Sequence, residues 1–401
     1  MKRVKVITIA FAFMLVLVAA TAQPVAAASR SDSLRSYISG RFDVERGGYS
    51  PPSDDVVRVD ATYGAILALD ELGSLDTRPP LVNLTQVLEG FLLRQWTIDR
   101  TGNYTDVDWE RYGGFSEYLL GPVTMSMNKM GIILLDLLKN QADYPGISAL
   151  DIDKDSLLVH LNRTYTADGA FSEVPGWNPD IVSTYQALYI INFLDTYDLT
   201  LNPWDIVNET ATIEWINNCR SGDEFKLSPE ADTIGVTATA TGIMALDLLP
   251  SITTVPGLQA ATTWVLERQI TDSVEDDFIG GFEEGVDTED PNFKSTYYAL
   301  KLLEFSGGLV SVNETTVIDF ILNCQVADGS WGYLPGADVG SLAYAGEACE
   351  LLNIFGNAAT ILTSSEDPYT PGGFILDWRY IAVIGVILLA LVIAIISIRR
   401  D

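Results

Sequence analysis

Single carboxylates stand just before apolar helical runs at three places: Asp60 in "RVDATY", Asp180 in "DIVSTY" and Asp290 in "DPNFKSTYYAL". A carboxylic acid there could act as a general acid or base if burial or a like-charged neighbour shifted its pKa. The same position also suits plainer work, since a carboxylate at a helix start accepts from free N–H groups and complements the helix dipole. Asp232 and Asp338 occupy similar places, and Glu117, Glu173, Glu283 and Glu284 lie in neighbouring loops. With 54 acids in 401 residues, some pair meets a suitable separation by accident. The single histidine, His160, sits between Val159 and Leu161 in "SLLVHLNR" and reads as a packing or surface residue rather than a ligand. Cys219, Cys324 and Cys349 form no C-x-x-C pair or Cys/His cluster, so neither a disulfide framework nor a zinc finger is indicated. One stretch concentrates a glutamine, an acid, glycines and aromatics: "QVADGSWGYLPG", from Gln325 to Gly336.

That stretch recurs. Loops "RGGYSPP", "YGGFSEY", "DGAFSEVPG", "GDEFKLSP" and "GGFEEG" place aromatic anchors at Tyr49, Phe115, Phe171, Phe225 and Phe282, followed by Trp331 at gaps of 66, 56, 54, 57 and 49 residues. Such spacing is a repeat with loops of variable length. Before each loop runs a segment with apolar residues at three and four spacing, as in "LTQVLEGFLLRQW" and "TTVIDFILNCQ". After each runs a segment of smaller residues, apolar almost all round, as in "STYQALYIINFLD" and "SLAYAGEACELLNIFG". The pattern predicts an all-α domain over 29–357, built from six hairpins of outer and inner helices. The terminal hairpins lack the polar faces of solenoid caps, so a closed ring is expected.

The two ends carry a different message. Lys2, Arg3 and Lys5, an apolar run over Val6–Val18 and the small residues Ala26-Ala27-Ala28 read as a signal peptide over 1–28. Ile381–Ile398 has no charge and is flanked by Trp378 and Tyr380 before and Arg399-Arg400 after, the pattern of a transmembrane helix in 379–401. Between ring and helix, "TSSEDPYTPGGF" falls in a polar stalk over 358–378. The order "PGGF", span, two arginines also resembles archaeal sorting tails, in which a lipid would replace the helix. The expected topology is a single-pass cell-membrane protein with its ring outside the cytoplasm. Sequons at Asn83, Asn103, Asn162, Asn208 and Asn313 suit that exposure. A net charge of −30 argues against a nucleic-acid partner.

"FILNCQVADGSWGY" carries Gln325, Gly329 and Trp331 at the Q-x-x-x-G-x-W spacing, and "STYQAL" and "STYYAL" open inner segments. These stretches resemble the QW repeats of squalene cyclases and of protein prenyltransferase beta subunits over about residues 32–356. The resemblance implies an α/α toroid with a central cavity. It also implies where catalytic residues would sit, and they are missing. Prenyltransferases hold zinc through Asp, a nearby Cys and a later His, yet no Cys follows Asp180, Asp290 or Asp338 closely and His160 lies in an outer segment. Class II cyclases need a D-x-D-D cluster, and "DIVSTY" and "RVDATY" have one Asp each.

No metal or other cofactor is therefore expected. Binding of an apolar or isoprenoid ligand in the ring, or of a partner protein at its rim, is the leading expectation. An enzyme with a divergent acid site, at Asp60, Asp180 or Asp290, is the alternative, and a toroidal glycoside hydrolase or lyase with paired carboxylates is the second. Trp177, Tyr185, Tyr297 and Tyr344 are the candidate ligand-binding aromatics. Gln325, Gly329 and Trp331 are expected to form a structural clasp.

Overall fold

Side chains that cap helices set the elements of the computed structural model, which describes residues 23–25, 27–75, 84–96, 110–139, 151–273, 275–286, 288, 290–369 and 373–375. Asp153, Asp180, Asn208, Asn292 and Asn313 each accept a backbone N–H three residues on, and each starts a helix. Six pairs result. They are α1 (Arg30–Gly40) with α2 (Val59–Glu71), α3 (Leu84–Leu92) with α4 (Met125–Lys139), and α5 (Lys154–Thr164) with α6 (Ile181–Leu194). After them come α7 (Glu209–Asn218) with α8 (Val236–Leu248), α9 (Leu258–Leu266) with α10 (Phe293–Ser306), and α11 (Glu314–Asn323) with α12 (Leu342–Phe355).

The even-numbered helices form a closed inner ring. Each packs on the next in chain order, and α12 returns to pack on α2. Closure depends on two glycines that face each other there. A Cβ on Gly64 would strike the Leu342 carbonyl, and one on Gly346 would strike the Gly64 backbone. The expected toroid is thus the observed architecture.

Backbone bonds join five of the six inner helices to the next loop. Val59 N donates to Glu117 O at 2.8 Å, Met125 N to Glu173 O at 2.9 Å, Ile181 N to Leu227 O at 2.9 Å, Val236 N to Glu284 O at 2.8 Å, and Phe293 N to Tyr333 O at 2.8 Å. The first N–H of each of these five helices, which has no partner within the helix, is satisfied by the following repeat.

The unit just described spans Ser33–Ile361; a second is formed from Met1–Asp32 and Leu362–Asp401. Within the second, β1 (Gln23–Val25) pairs antiparallel with a strand at Gly373–Ile375. The segment expected as a stalk begins with a short helix, α13 (Ala358–Ser364), since Asn357 caps Thr360 N at 2.9 Å. Most of the expected signal peptide, the span Ile381–Ile398, Asn83 and Asn103 lie outside the described residues. Among the described residues no helix is long and apolar enough to cross a membrane.

Candidate functional site

The recurring loops position the inner helices. In the last, Gln325 Nε2 donates to Gly329 O at 3.2 Å, and the fully buried Trp331 donates from Nε1 to Ile321 O at 2.8 Å. Gly329 takes φ 93°, and a Cβ there would meet the Ser33 carbonyl in α1. Gly47, Gly113, Gly169 and Gly280 lie in the same way on Gln86, Ser156, Ala211 and Thr316, so five of the six clasps seat the next outer helix and the last one seats the first; Gly222 meets only Glu224 of its own loop. A Thr near the start of the inner helix, three times that of a "TY" opening, works on the anchors themselves. Thr62, Thr184, Thr239 and Thr296 accept the amides of Tyr49, Phe171, Phe225 and Phe282 at 3.0–3.1 Å.

Several acids named from the sequence are likewise occupied. Asp180 accepts from Ser183 N at 2.8 Å and Ser183 Oγ at 2.6 Å. Burial raises its pKa against those bonds. Asp60 lies in the first turn of α2 and bonds the Ala61 amide at 2.8 Å. Burial raises its pKa too, and Glu117 adds to the effect. Asp290 is exposed in the loop before α10, whose cap is Asn292. These three acids do not converge. Asp232 and Asp338, read as helix starts, are exposed and cap nothing; Gly235 and Ser341 take those positions. The loop carboxylates act across repeats: Glu173 accepts from Ser126 N at 3.2 Å, Glu284 from Thr237 N at 3.1 Å, and Glu117 pairs with Arg58 at 2.6 Å. They serve neighbouring helix starts and do not form a paired-carboxylate site.

Charged and phenolic groups gather instead inside the ring, on faces of the inner helices that no outer helix covers. Glu347 and Glu350 stand one turn apart on α12 and are half-buried. Glu350 accepts from Tyr297 Oη at 3.1 Å and pairs with Lys301 Nζ at 3.2 Å, both on α10. Burial works against the Lys301 cation, and Glu350 and Glu304 outweigh it, so its pKa is raised. Lys129 on α4 lies 5.0 Å over the ring of Tyr185 and 5.4 Å over that of Tyr189, both on α6. Glu347 has no hydrogen-bond partner among the described residues. Burial, reinforced by Glu350, pushes its carboxyl up to about 8 despite Lys129 and Lys294.

These groups meet across the interior. Lys129 acts on Glu347 although α4 and α12 are not neighbours in the ring. Tyr63 on α2 is raised by burial first, then by Glu347 and Glu350, with Tyr189 and Tyr298 adding to it. Five of the six inner helices thus contribute to one electrostatic cluster, with half-buried Met127, Met130, Val182 and Met244 on inner helices as well. At neutral pH Glu347 is a protonated acid that can donate one hydrogen bond in an aromatic surround.

Of the four candidate aromatics, Tyr185 and Tyr297 belong to this cluster. Tyr344, half-buried on α12, adjoins it, since Glu347 adds to the burial that raises its phenol, and it lies 5.2 Å from Phe293 and 6.3 Å from Tyr333. Trp177 is elsewhere, 64% exposed on the loop after Phe171, beside a cleft of about 770 Å³ lined by Asn178, Pro179, Trp215 and the acids Asp168, Glu214 and Glu230. Sequence reasoning missed Glu347, Glu350, Lys129 and Lys301. Their signal was an isolated charge in an otherwise apolar inner segment.

His160 is fully buried in α5, and burial holds its pKa down to about 4. Cys349 lies on α12 but is fully buried, and burial pushes its thiol up, away from the thiolate. Among the described residues no three His, Cys, Asp or Glu side chains could hold a metal ion. Asn162, Asn208 and Asn313 are exposed, and the latter two cap helices through Oδ1.

Comparison with known proteins supplies a context. A family model described as the prenyltransferase alpha-alpha toroid domain matches residues 92–288 and 243–364. The beta subunit of geranylgeranyl transferase type-1 from Arabidopsis thaliana is 24% identical over 196 residues, 46% of this chain and 48% of that protein, so the match spans about half of the relative. Candida albicans protein geranylgeranyltransferase-I complexed with GGPP superposes with a TM-score of 0.56 at 16% identity, over 78% of this chain and 88% of that one. A type II terpene cyclase from Scytonema gives a TM-score of 0.47 at 13% identity, over 83% of this chain and 98% of that one.

Proposed function

This chain belongs to the prenyltransferase α/α-toroid family, and we propose that it is a membrane-tethered, extracytoplasmic member whose ring interior binds an apolar ligand of isoprenoid type without transferring or cyclising it. The observation that carries the reading is the interior cluster: tyrosines from α2, α6 and α10 surround an unpartnered, protonated Glu347. Aromatic faces suit an unsaturated hydrocarbon, and one neutral acid supplies a single hydrogen bond to a terminal oxygen. The structural neighbour complexed with GGPP makes isoprenoids the first class to try. His160, which zinc-dependent transfer would need, is buried in an outer helix. The tether rests on the uncharged run Ile381–Ile398 and the basic, apolar start of the chain.

A second reading has its own observation. Glu347 keeps its proton beside Glu350, which is held by Lys301, and a protonated acid next to such a pair is an arrangement for general-acid chemistry on a bound apolar substrate. Purifying the full chain in detergent and identifying co-purified lipid by mass spectrometry tests both. The same isoprenoid in the wild type and in Glu347→Gln, matched by mass and by chromatographic separation from its isomers, supports binding alone. A species of different mass, or an isomer of the same mass, in the variant, as unreacted substrate accumulates, supports the acid. An interior that yields no lipid, and takes up none when offered, overturns the pair.

A further inference from the structure

Two repeats place an arginine directly before the clasp glutamine: Arg94 before Gln95 and Arg268 before Gln269. In both, the residue after the anchor aromatic bonds back across the loop, Ser116 N to Arg94 O and Glu283 N to Arg268 O, each at 3.1 Å. The two positions are therefore equivalent. Arg268 pairs with Glu283 at 3.6 Å. In the earlier repeat the acid is replaced by Ser116.

Arg94 is only 5% exposed, donates from Nη1 to Gly90 O at 2.8 Å, and has no carboxylate partner among the described residues. Nε lacks an acceptor in both arginines, so the difference between the repeats is the carboxylate. Glu117, the next acid along the loop, is engaged by Arg58. Where the side chain of Glu283 would correspond, a cavity of about 340 Å³ opens, lined by Arg94 and Ser116 together with Leu93, Trp96, Leu119 and Leu120. Arg111 stands beside it, 5.4 Å over the Trp96 ring, with Nη1 donating to Leu120 O at 3.1 Å and no ion pair among the described residues. The three leucines are 56%, 64% and 67% exposed, and Leu120 holds φ 68°, a conformation leucine avoids unless its surroundings impose it. In a chain of net charge −30, two guanidinium groups without carboxylates flank one apolar pocket.

We propose that this pocket binds an anionic amphiphile, its carboxylate or phosphate head received by Arg94 where Glu283 sits beside Arg268, and its apolar tail laid against Leu93, Leu119 and Leu120. The pocket belongs to the end of α3 and its clasp loop, apart from the inner helices, so it stands independently of the ligand in the ring. An unpaired buried cation gains most from an ionised partner, which makes charge the discriminating feature.

Full-length protein titrated with decanoate and with decyl phosphate, below their micellar concentrations, tests the site by calorimetry and by Trp96 emission, taken as the difference from Trp96→Phe. Decanol controls for the tail, and acetate and inorganic phosphate for the head. Saturable binding of a charged amphiphile, about tenfold or more tighter than decanol, is expected. Preference between decanoate and decyl phosphate then identifies the head. Ser116→Glu restores the Arg268–Glu283 arrangement: it should melt no lower than wild type and lose at least about tenfold in affinity, whereas Ser116→Gln keeps binding. Equal binding of decanol, no binding of any of these compounds, or wild-type decanoate affinity in Ser116→Glu would overturn the proposal.

Discussion

Replacing Glu347 by glutamine should change how stability depends on pH more than stability at any one pH. The carboxyl holds its proton to about pH 8 in the folded ring, against an ordinary value of 4.5. Below 4.5 both folded and unfolded chains are protonated and the group contributes no pH dependence. Between 4.5 and about 8 the unfolded chain has released the proton and the folded chain has not, so stability falls as pH rises. Above about 8 both are ionised and the loss is complete. At about 1.4 kcal/mol per pH unit, that interval amounts to roughly 5 kcal/mol. Glu347 is half-buried, and water at the carboxyl lowers the cost of its ionised form, so that figure is the ceiling of the observed effect. Glutamine keeps the shape and never ionises. Urea titrations of wild type and Glu347→Gln at pH 5, 7 and 9 should give a difference that grows steadily in favour of the variant. Parallel pH profiles would refute the placement of Glu347 in a poorly solvated interior, and with it both functional readings of the ring.

Three further outcomes probe the scaffold. Gly64→Ala forces α2 from α12 at the closing contact and should cost about 1–3 kcal/mol in urea unfolding, whereas Gly40→Ala, whose Cβ meets nothing within 4 Å, should be neutral or stabilising. Trp331→Ala empties a fully buried site and should cost about 3–5 kcal/mol while leaving the ligand bound by the interior unchanged; a loss of ligand without a loss of stability would make the clasp functional after all. Asp180→Ala removes two bonds at the start of α6 and should cost about 1 kcal/mol, read as a shift in melting temperature, with no effect on interior binding.

The fold was legible because its determinants repeat. An anchor aromatic, a left-handed glycine and a Thr accepting the anchor's amide are local devices, and each leaves a mark at a fixed offset. The closing of the ring was readable only as a preference, since the contact that makes it joins Gly64 to Leu342 and Gly346 and has no local signature. The interior was harder. Tyr185 and Tyr297 could be named because their segments were assigned to the inner ring, but Glu347 and Glu350 lay in "AGEACE", where neither matches a catalytic pattern. Their chemistry arises from Lys129, Lys301 and Tyr63, which come from three other helices. Asp60, Asp180 and Asp290 drew notice as helix starts, yet Asp60 and Asp180 each serve the first turn of their own helix and Asp290 stands exposed in the loop before α10.

Repetition also provides a control inside one molecule. A residue doing the same job in several repeats serves the architecture: Asp180, Asn292 and Asn313 cap, Gly113 and Gly329 seat a helix, and Thr62 and Thr184 hold an anchor amide. Function should therefore be sought where one repeat departs from its siblings in a way the fold does not require. By that criterion the acids of α12 stand out, since α6 and α8 present tyrosine or methionine to the same interior and hold the ring equally well. Arg94 stands out for the complementary reason. Arg268 shows that the scaffold can satisfy a cation at this position with its own carboxylate, and beside Ser116 it does not, which leaves the charge to be matched by something other than the fold.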